Sequence, residues 1–172
     1  MKVLLKYSGI ISAVLAIVAF ILLLATPGVI VNDTNFAGTL CIFGGEIKGI
    51  LVTWKYSATW AGVLAFILII VALIILIAAI VLPLLKIKAL DKFAGILNLV
   101  AVISLILAGI FAFCIVAAFK AANGDGVVKA YGFVIETAKF EIGAGWVVAG
   151  ILSILAGVFA VLPAAADFIS KK

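Results

Sequence analysis

Four stretches of this chain, 9–26, 60–83, 93–119 and 145–162, contain no charged residue and are almost wholly apolar. A hydrocarbon core of about 30 Å is crossed by about 17–25 apolar residues at helical rise. In lipid the backbone must satisfy its own hydrogen bonds, which a helix does within one segment. The pattern therefore predicts four transmembrane helices. Between them lie two segments of different texture, 27–59 and 120–144. Short β-branched and aromatic runs at 28–31, 39–43, 50–54 and 127–137 are bounded by Asn32-Asp33-Thr34-Asn35, Gly44-Gly45 and Asn123-Gly124-Asp125-Gly126. Such runs read as strands, with Gly132 at a bulge. The expected fold is an all-α four-helix membrane bundle whose outer segments form one short antiparallel sheet, a small β cap.

The pattern is also doubled. Lys6-Tyr-Ser-Gly-Ile-Ile11 is echoed by Lys92-Phe-Ala-Gly-Ile-Leu97, and Val81-Leu82-Pro83 by Val161-Leu162-Pro163. Between these, Gly49-Ile-Leu-Val-Thr-Trp-Lys-Tyr56 is answered by Gly132-Phe-Val-Ile-Glu-Thr-Ala-Lys-Phe140. We read a tandem repeat of a two-span unit, 1–88 and 89–172, within one membrane domain. A unit that crosses twice returns to its starting side, so both copies share an orientation. The first run has the outline of a secretory signal, but its opening recurs at Phe93, so a retained span is expected. Pro83 and Pro163 are expected to end the second and fourth spans. Thr53 to Pro83 is about one helical turn longer than Thr137 to Pro163, so the second span is expected to tilt or protrude.

Charge then fixes the orientation. The chain has no arginine or histidine; Lys2, Lys6, Lys86, Lys88, Lys92, Lys171 and Lys172 fall on one side, against Asp91 and Asp167. On the other side Lys48, Lys55, Lys120, Lys129 and Lys139 are matched by Asp33, Glu46, Asp125, Glu136 and Glu141. The positive-inside rule puts both termini in the cytoplasm, most simply at the cell membrane. There the lysines would attract anionic lipid. A net charge of +5 in a chain that is 69% hydrophobic and 11% charged is thus a topology signal. No aromatic-interleaved basic face suggests nucleic acid.

Candidate chemistry changes the picture mainly by its absence. None of the four runs holds an Asp, Glu, Lys, Arg or His, whereas proton relays, ion routes and substrate sites in membranes are ordinarily built from such groups. No phosphate-binding loop occurs next to a Lys-Ser/Thr pair, and Glu136 and Glu141 fall on opposite faces of a strand. We expect no catalytic residue, no metal site and no cofactor. Two cysteines make no disulfide framework, although a bond between Cys41 and Cys114 is geometrically open. Cys114 is expected to pack as a small apolar residue, with Cys41 free or paired between protomers. Asn32-Asp33-Thr34 is a glycosylation triplet of low specificity.

Small residues form stripes instead. Gly145, Ala149, Ser153 and Gly157 recur every four positions. Asn98, Ala101, Ser104 and Ala108 recur at three to four, and Ala65 and Ala72 seven apart. Such faces let helix backbones approach closely, and a buried amide like Asn98 can bond to a neighbouring helix. Trp60 and Trp146 begin the second and fourth spans and are expected to anchor at the membrane interface. The outer residues expected to mediate association are Val29, Val31, Phe43, Leu51, Trp54, Phe133 and Ile135.

With four spans, inner termini and a longer first than second outer segment, the build resembles that of claudins. In claudins the first outer segment carries Trp, then Gly-Leu-Trp, then two cysteines. Here Gly38-Thr-Leu-Cys41 precedes Trp54, with a single cysteine, so the likeness is one of architecture, which does not carry function across. The expectation is a structural or scaffolding tetraspan protein that self-associates or joins a membrane partner through its cap and lipid-facing helices. The alternatives are a small channel or transport subunit with a pore between protomers, or an accessory subunit of a larger complex.

Overall fold

A computed structural model of the chain describes residues 2–48, 53–81, 94–124, 127–130 and 133–169. Four helices are long and apolar enough to cross a membrane: α1 (Lys2–Ala25), α3 (Trp60–Val81), α4 (Ala94–Phe113) and α6 (Ala144–Ile169). They pack as a bundle in which α6 lies extensively against both α4 and α1, and α3 lies against α4. Alanine dominates the seams. Ala13, Ala16 and Ala19 of α1, Ala65 and Ala72 of α3, Ala101, Ala108 and Ala112 of α4, and Ala149, Ala156 and Ala160 of α6 are all buried. Large aliphatic residues such as Ile17, Ile21, Ile67, Ile74, Ile103 and Ile151 point outward. This inside-out size pattern suits lipid: dispersion between closely spaced backbones holds the helices together where burial from water cannot.

α4 and α6 approach closely at Gly109 and Gly150. A Cβ on Gly109 would meet Gly150 O at 2.7 Å and Ile154 Cγ1 at 2.6 Å. Glycine inside a helix costs about 1 kcal/mol relative to alanine, which the contact between the two backbones offsets. Farther from the strands, Ser12 Oγ donates to Ala156 O at 2.7 Å, joining α1 to α6 within the buried core.

Two spans depart from the sequence reading. The run at 93–119 is broken: α4 ends at Phe113, Cys114 turns with φ −80° and ψ 1°, and α5 (Ile115–Asn123) carries the chain outward. Cys114 N still reaches both Ile110 O and Phe111 O, so the break is a tightened turn. Pro163 does not terminate its helix. It lies inside α6, which runs on to Ile169. Membrane helices tolerate proline because neighbouring groups and local adjustment re-satisfy the freed carbonyl. Pro83 lies outside the described residues.

The cap is not one sheet. β1 (Pro27–Val31) pairs antiparallel with β2 (Thr34–Ala37) on one edge and with β7 (Phe140–Ile142) on the other. Two separate hairpins, β3 (Gly45–Lys48) with β4 (Thr53–Tyr56) and β5 (Val127–Ala130) with β6 (Phe133–Thr137), complete the described strands. The β1–β2 turn is Asn32-Asp33, with φ of 45° and 63°. Positive φ at both central residues is the geometry of a two-residue hairpin turn whose twist matches the strands. The irregularity in the second excursion falls between Val128 and Lys129; Gly132, expected at a bulge, lies outside the described residues.

The run at 39–43 is helical, in α2 (Gly38–Phe43), with Gly38, Cys41 and Ile42 buried. That i, i+3, i+4 spacing marks a helix face, and a short apolar run does not distinguish helix from strand by composition. Gly44, at φ 69°, ends the helix and donates its N–H to Leu40 O.

Gly109→Leu is expected to wedge α4 from α6 and to lower stability by about 1–3 kcal/mol, the usual cost of overpacking. Gly109→Ala should cost less. Unfolding followed in mixed micelles against a denaturing detergent measures both.

Candidate association surface and the joint beneath it

The cap is fixed to the bundle where α1, β1, α2 and α6 meet. The last carbonyls of a helix have no intrahelical donor. Here Leu22 O accepts from Thr26 N–H at 3.1 Å and from Thr26 Oγ1 at 2.6 Å. Leu23 O accepts from Trp146 Nε1–H at 3.1 Å. Gly38 N–H donates to Thr26 O, and Gly143 N–H to Gly28 O. There is no room for a side chain at this joint: a Cβ on Gly38 would collide with Leu23 O, and one on Gly143 with Pro27 O. Gly145 faces the Thr26 side chain at the same place.

Trp146 is therefore not an interfacial anchor. It is 0% exposed, the largest fully buried side chain among the described residues. A buried indole needs an acceptor for its N–H, and the end of α1 supplies one. Trp60 differs, being 48% exposed at the start of α3 and edge-on to Phe111.

A second tie joins α2 to α3. Thr59 caps α3 by accepting from Gly62 N–H at 3.1 Å, the usual role of a threonine before a helix. Its own N–H and hydroxyl both donate to Cys41 O, at 2.9 and 2.8 Å. Cys41 and Cys114 are both free. Burial pushes the Cys41 thiol up to about 12, only partly opposed by a hydrogen bond with the Val29 backbone.

The two interhelical excursions of the cap are also clamped together. Asn123 Oδ1 accepts from Ser57 N–H at 2.7 Å while its Nδ2 donates to Ser57 O. Asn32 and Lys139 exchange a matching pair, Lys139 N–H to Asn32 Oδ1 and Asn32 N–H to Lys139 O. Beneath them Phe36, Tyr56, Phe119 and Phe140 form one aromatic cluster drawn from β2, β4, α5 and β7, with Lys120 Nζ 4.7 Å above the Phe140 ring.

Val29 is fully buried and faces the core, so it is removed from the association surface expected of it; Val31 is half-buried. Phe43 is 62% exposed. Trp54 lies in β4 opposite Ile47, and Phe133 and Ile135 lie in β6. Leu51 lies outside the described residues. An open groove of about 360 Å³ runs between β2, α2 and β3, bordered by Asn35, Ala37, Leu40, Phe43 and Ile47. All four residues of β3 are exposed. The sequence reading passed over Glu46-Ile47-Lys48, although its alternation was available as a strand signal.

Of the helix-packing residues, Ala65, Ala72, Asn98, Ala101, Ser104, Ala108, Ala149, Ser153 and Gly157 are buried and Gly145 is half-buried. Ser153 Oγ is buried without a hydrogen-bond partner among the described residues. Among those residues no group of three or more His, Cys, Asp or Glu side chains could hold a metal ion. The chain matches no protein-family model, and no curated protein shows significant similarity to it.

Trp146→Phe is expected to orphan Leu23 O, at about 1–3 kcal/mol, with a further loss for the space vacated. Thermal unfolding in detergent reads the sum. For Cys41, an unfolded thiol ionises near its ordinary value of 9.0 while the folded one keeps its proton to about 12. Its stabilising effect is complete below pH 9 and declines as pH rises through that window. Maleimide labelling of a Cys114→Ala variant should accordingly be negligible at pH 8 when folded and rapid after unfolding.

Proposed function

We propose that this chain is a structural or scaffolding tetraspan membrane protein that associates with copies of itself through its outer cap and lipid-facing helices. The observation that carries the reading is the combination of a cap riveted to the bundle with strand edges left open at its rim. β2 and β3 each pair on one side only among the described residues, and unpaired edges are templates for another chain. Mobile loops would spend association energy on ordering themselves. This cap is already ordered by the Trp146–Leu23, Thr59–Cys41 and Asn123–Ser57 contacts. On this reading the chain is a doubled two-span unit with cytoplasmic termini, anionic lipid against its inner lysines, and a claudin-like build without claudin sequence.

Burial weighs against a channel between protomers. Asn98, Ser104 and Ser153, the polar side chains such a pore would draw on, are 7%, 5% and 1% exposed within the single bundle. The absence of Asp, Glu, Lys, Arg and His from the four apolar runs supports a non-enzymatic role in the same way.

Reconstituted at high density in bilayers of native-like composition, the protein is expected to form rings, strands or lattices and to pass no current in planar-bilayer recording. A strictly monomeric population would overturn the proposal, and single-channel steps would favour a conducting role.

A further inference from the structure

We propose that the β3 edge is the contact between two copies of this chain: β3 of one pairs antiparallel with β3 of the other across a two-fold axis centred on Ile47. The proposal rests on the reading that the chain self-associates and names the surface that does so.

The argument comes from charge and register. β3 is bonded to β4 on one edge, with Glu46 opposite Lys55 and Ile47 opposite Trp54. Among the described residues no other strand pairs with it, and all four of its residues are exposed. An edge lysine ordinarily discourages pairing. Against a second β3 it does the opposite in one arrangement. In the antiparallel register centred on Ile47, Glu46 stands opposite Lys48 of the partner copy and Lys48 opposite the partner's Glu46. Directly opposed unlike charges stabilise a strand pair, and like charges oppose it.

Each alternative fails on the same residues. Parallel in-register pairing sets Glu46 against Glu46 and Lys48 against Lys48. Sliding the antiparallel pair so that its centre falls on Glu46 or on Lys48 opposes like charges at that centre. A shift that moves the centre between residues puts Glu46 or Lys48 opposite Ile47. Only the centred register matches every side chain with a complement.

The in-chain pair Lys55–Glu46, at 3.2 Å, extends the row. Across the joined hairpins the charges read Lys55, Glu46, then Lys48 of the second copy, each carboxylate flanked by two ammonium groups. Ile47, 38% exposed, meets its own counterpart at the axis, so an apolar contact replaces one now open to water. A two-fold contact of this kind is isologous and closes on itself. It occupies one edge of the cap and leaves the edge of β2 and the lipid-facing helices for further growth.

The test uses the full chain in lipid vesicles, on the Cys114→Ala background, with Cys41 too deeply buried to react. Under mild oxidation Ile47→Cys should form a covalent dimer, since paired antiparallel residues lie within disulfide reach. Glu46→Cys mixed with Lys48→Cys should cross-link, while Lys48→Cys alone and Ala37→Cys on β2 should do so far less. Charge reversal supplies an independent arm. Lys48→Glu alone and Glu46→Lys alone should each lower dimer yield by about fivefold, and an equimolar mixture of the two should restore it. These positions are exposed, and an unchanged melting temperature checks that the fold is intact. Failure of the mixture to recover, or equal cross-linking from β2, in a protein that still oligomerises would overturn this surface and leave self-association standing. A monomeric wild type would overturn both.

Discussion

The three-stranded sheet, α2 and the start of α6 are positioned by how the first span ends. A helix that stops leaves carbonyls without donors, and in this chain the donors come from far along the sequence. Trp146 Nε1–H reaches Leu23 O, and Gly38 N–H reaches Thr26 O just beyond it. These bonds bring the start of α6 and the start of α2 to the end of α1. Because glycine occupies positions 38 and 143, the backbones meet without intervening side chains. Once that joint is closed, β1 must leave α1 where β7, arriving just before α6, can pair with it.

The bundle below obeys a different rule. Its helices cannot be driven together by excluding water, so what holds them is proximity. Alanine lines the seams, and Gly109 and Gly150 permit a close backbone contact between α4 and α6. Polar groups are sparse and used within the bundle, as in the bond from Ser12 Oγ to Ala156 O. In membranes such bonds are worth about 0.6–2 kcal/mol each, enough to fix rotation of one helix against another. The cap, by contrast, lies beyond the spans, and its aromatic cluster of Phe36, Tyr56, Phe119 and Phe140 is the kind of core that water does enforce.

An ordered platform of this sort displays strand edges at low entropic cost. Among the described residues β1 is paired on both sides, whereas each of the other six strands is paired on one. The groove beside Phe43 and Ile47 lies between β2 and β3. The buried Cys41 shows the other side of the same design. It lies on the buried face of α2, where its side chain packs against the bundle and its carbonyl accepts from Thr59.

By itself the sequence determined the four spans, because length and uninterrupted hydropathy depend only on local composition and the thickness of the bilayer. It determined the small-residue stripes for the same reason: helical period alone assigns Ala65, Ala72, Ala101, Ala108 and Ala149 to a face. Tertiary structure decided what local pattern leaves degenerate. A five-residue apolar run at 39–43 suits helix or strand, and burial of Gly38, Cys41 and Ile42 against the bundle selected the helix. A tryptophan at a span end suits an interface or a core, and the free carbonyl of Leu23 selected the core. Pro163 could stop a helix or sit within one, and α6 continues through it. The strands divided into a three-stranded sheet and two hairpins because pairing depends on which segments the α1–α6 joint brings side by side, and no periodicity within a segment encodes that.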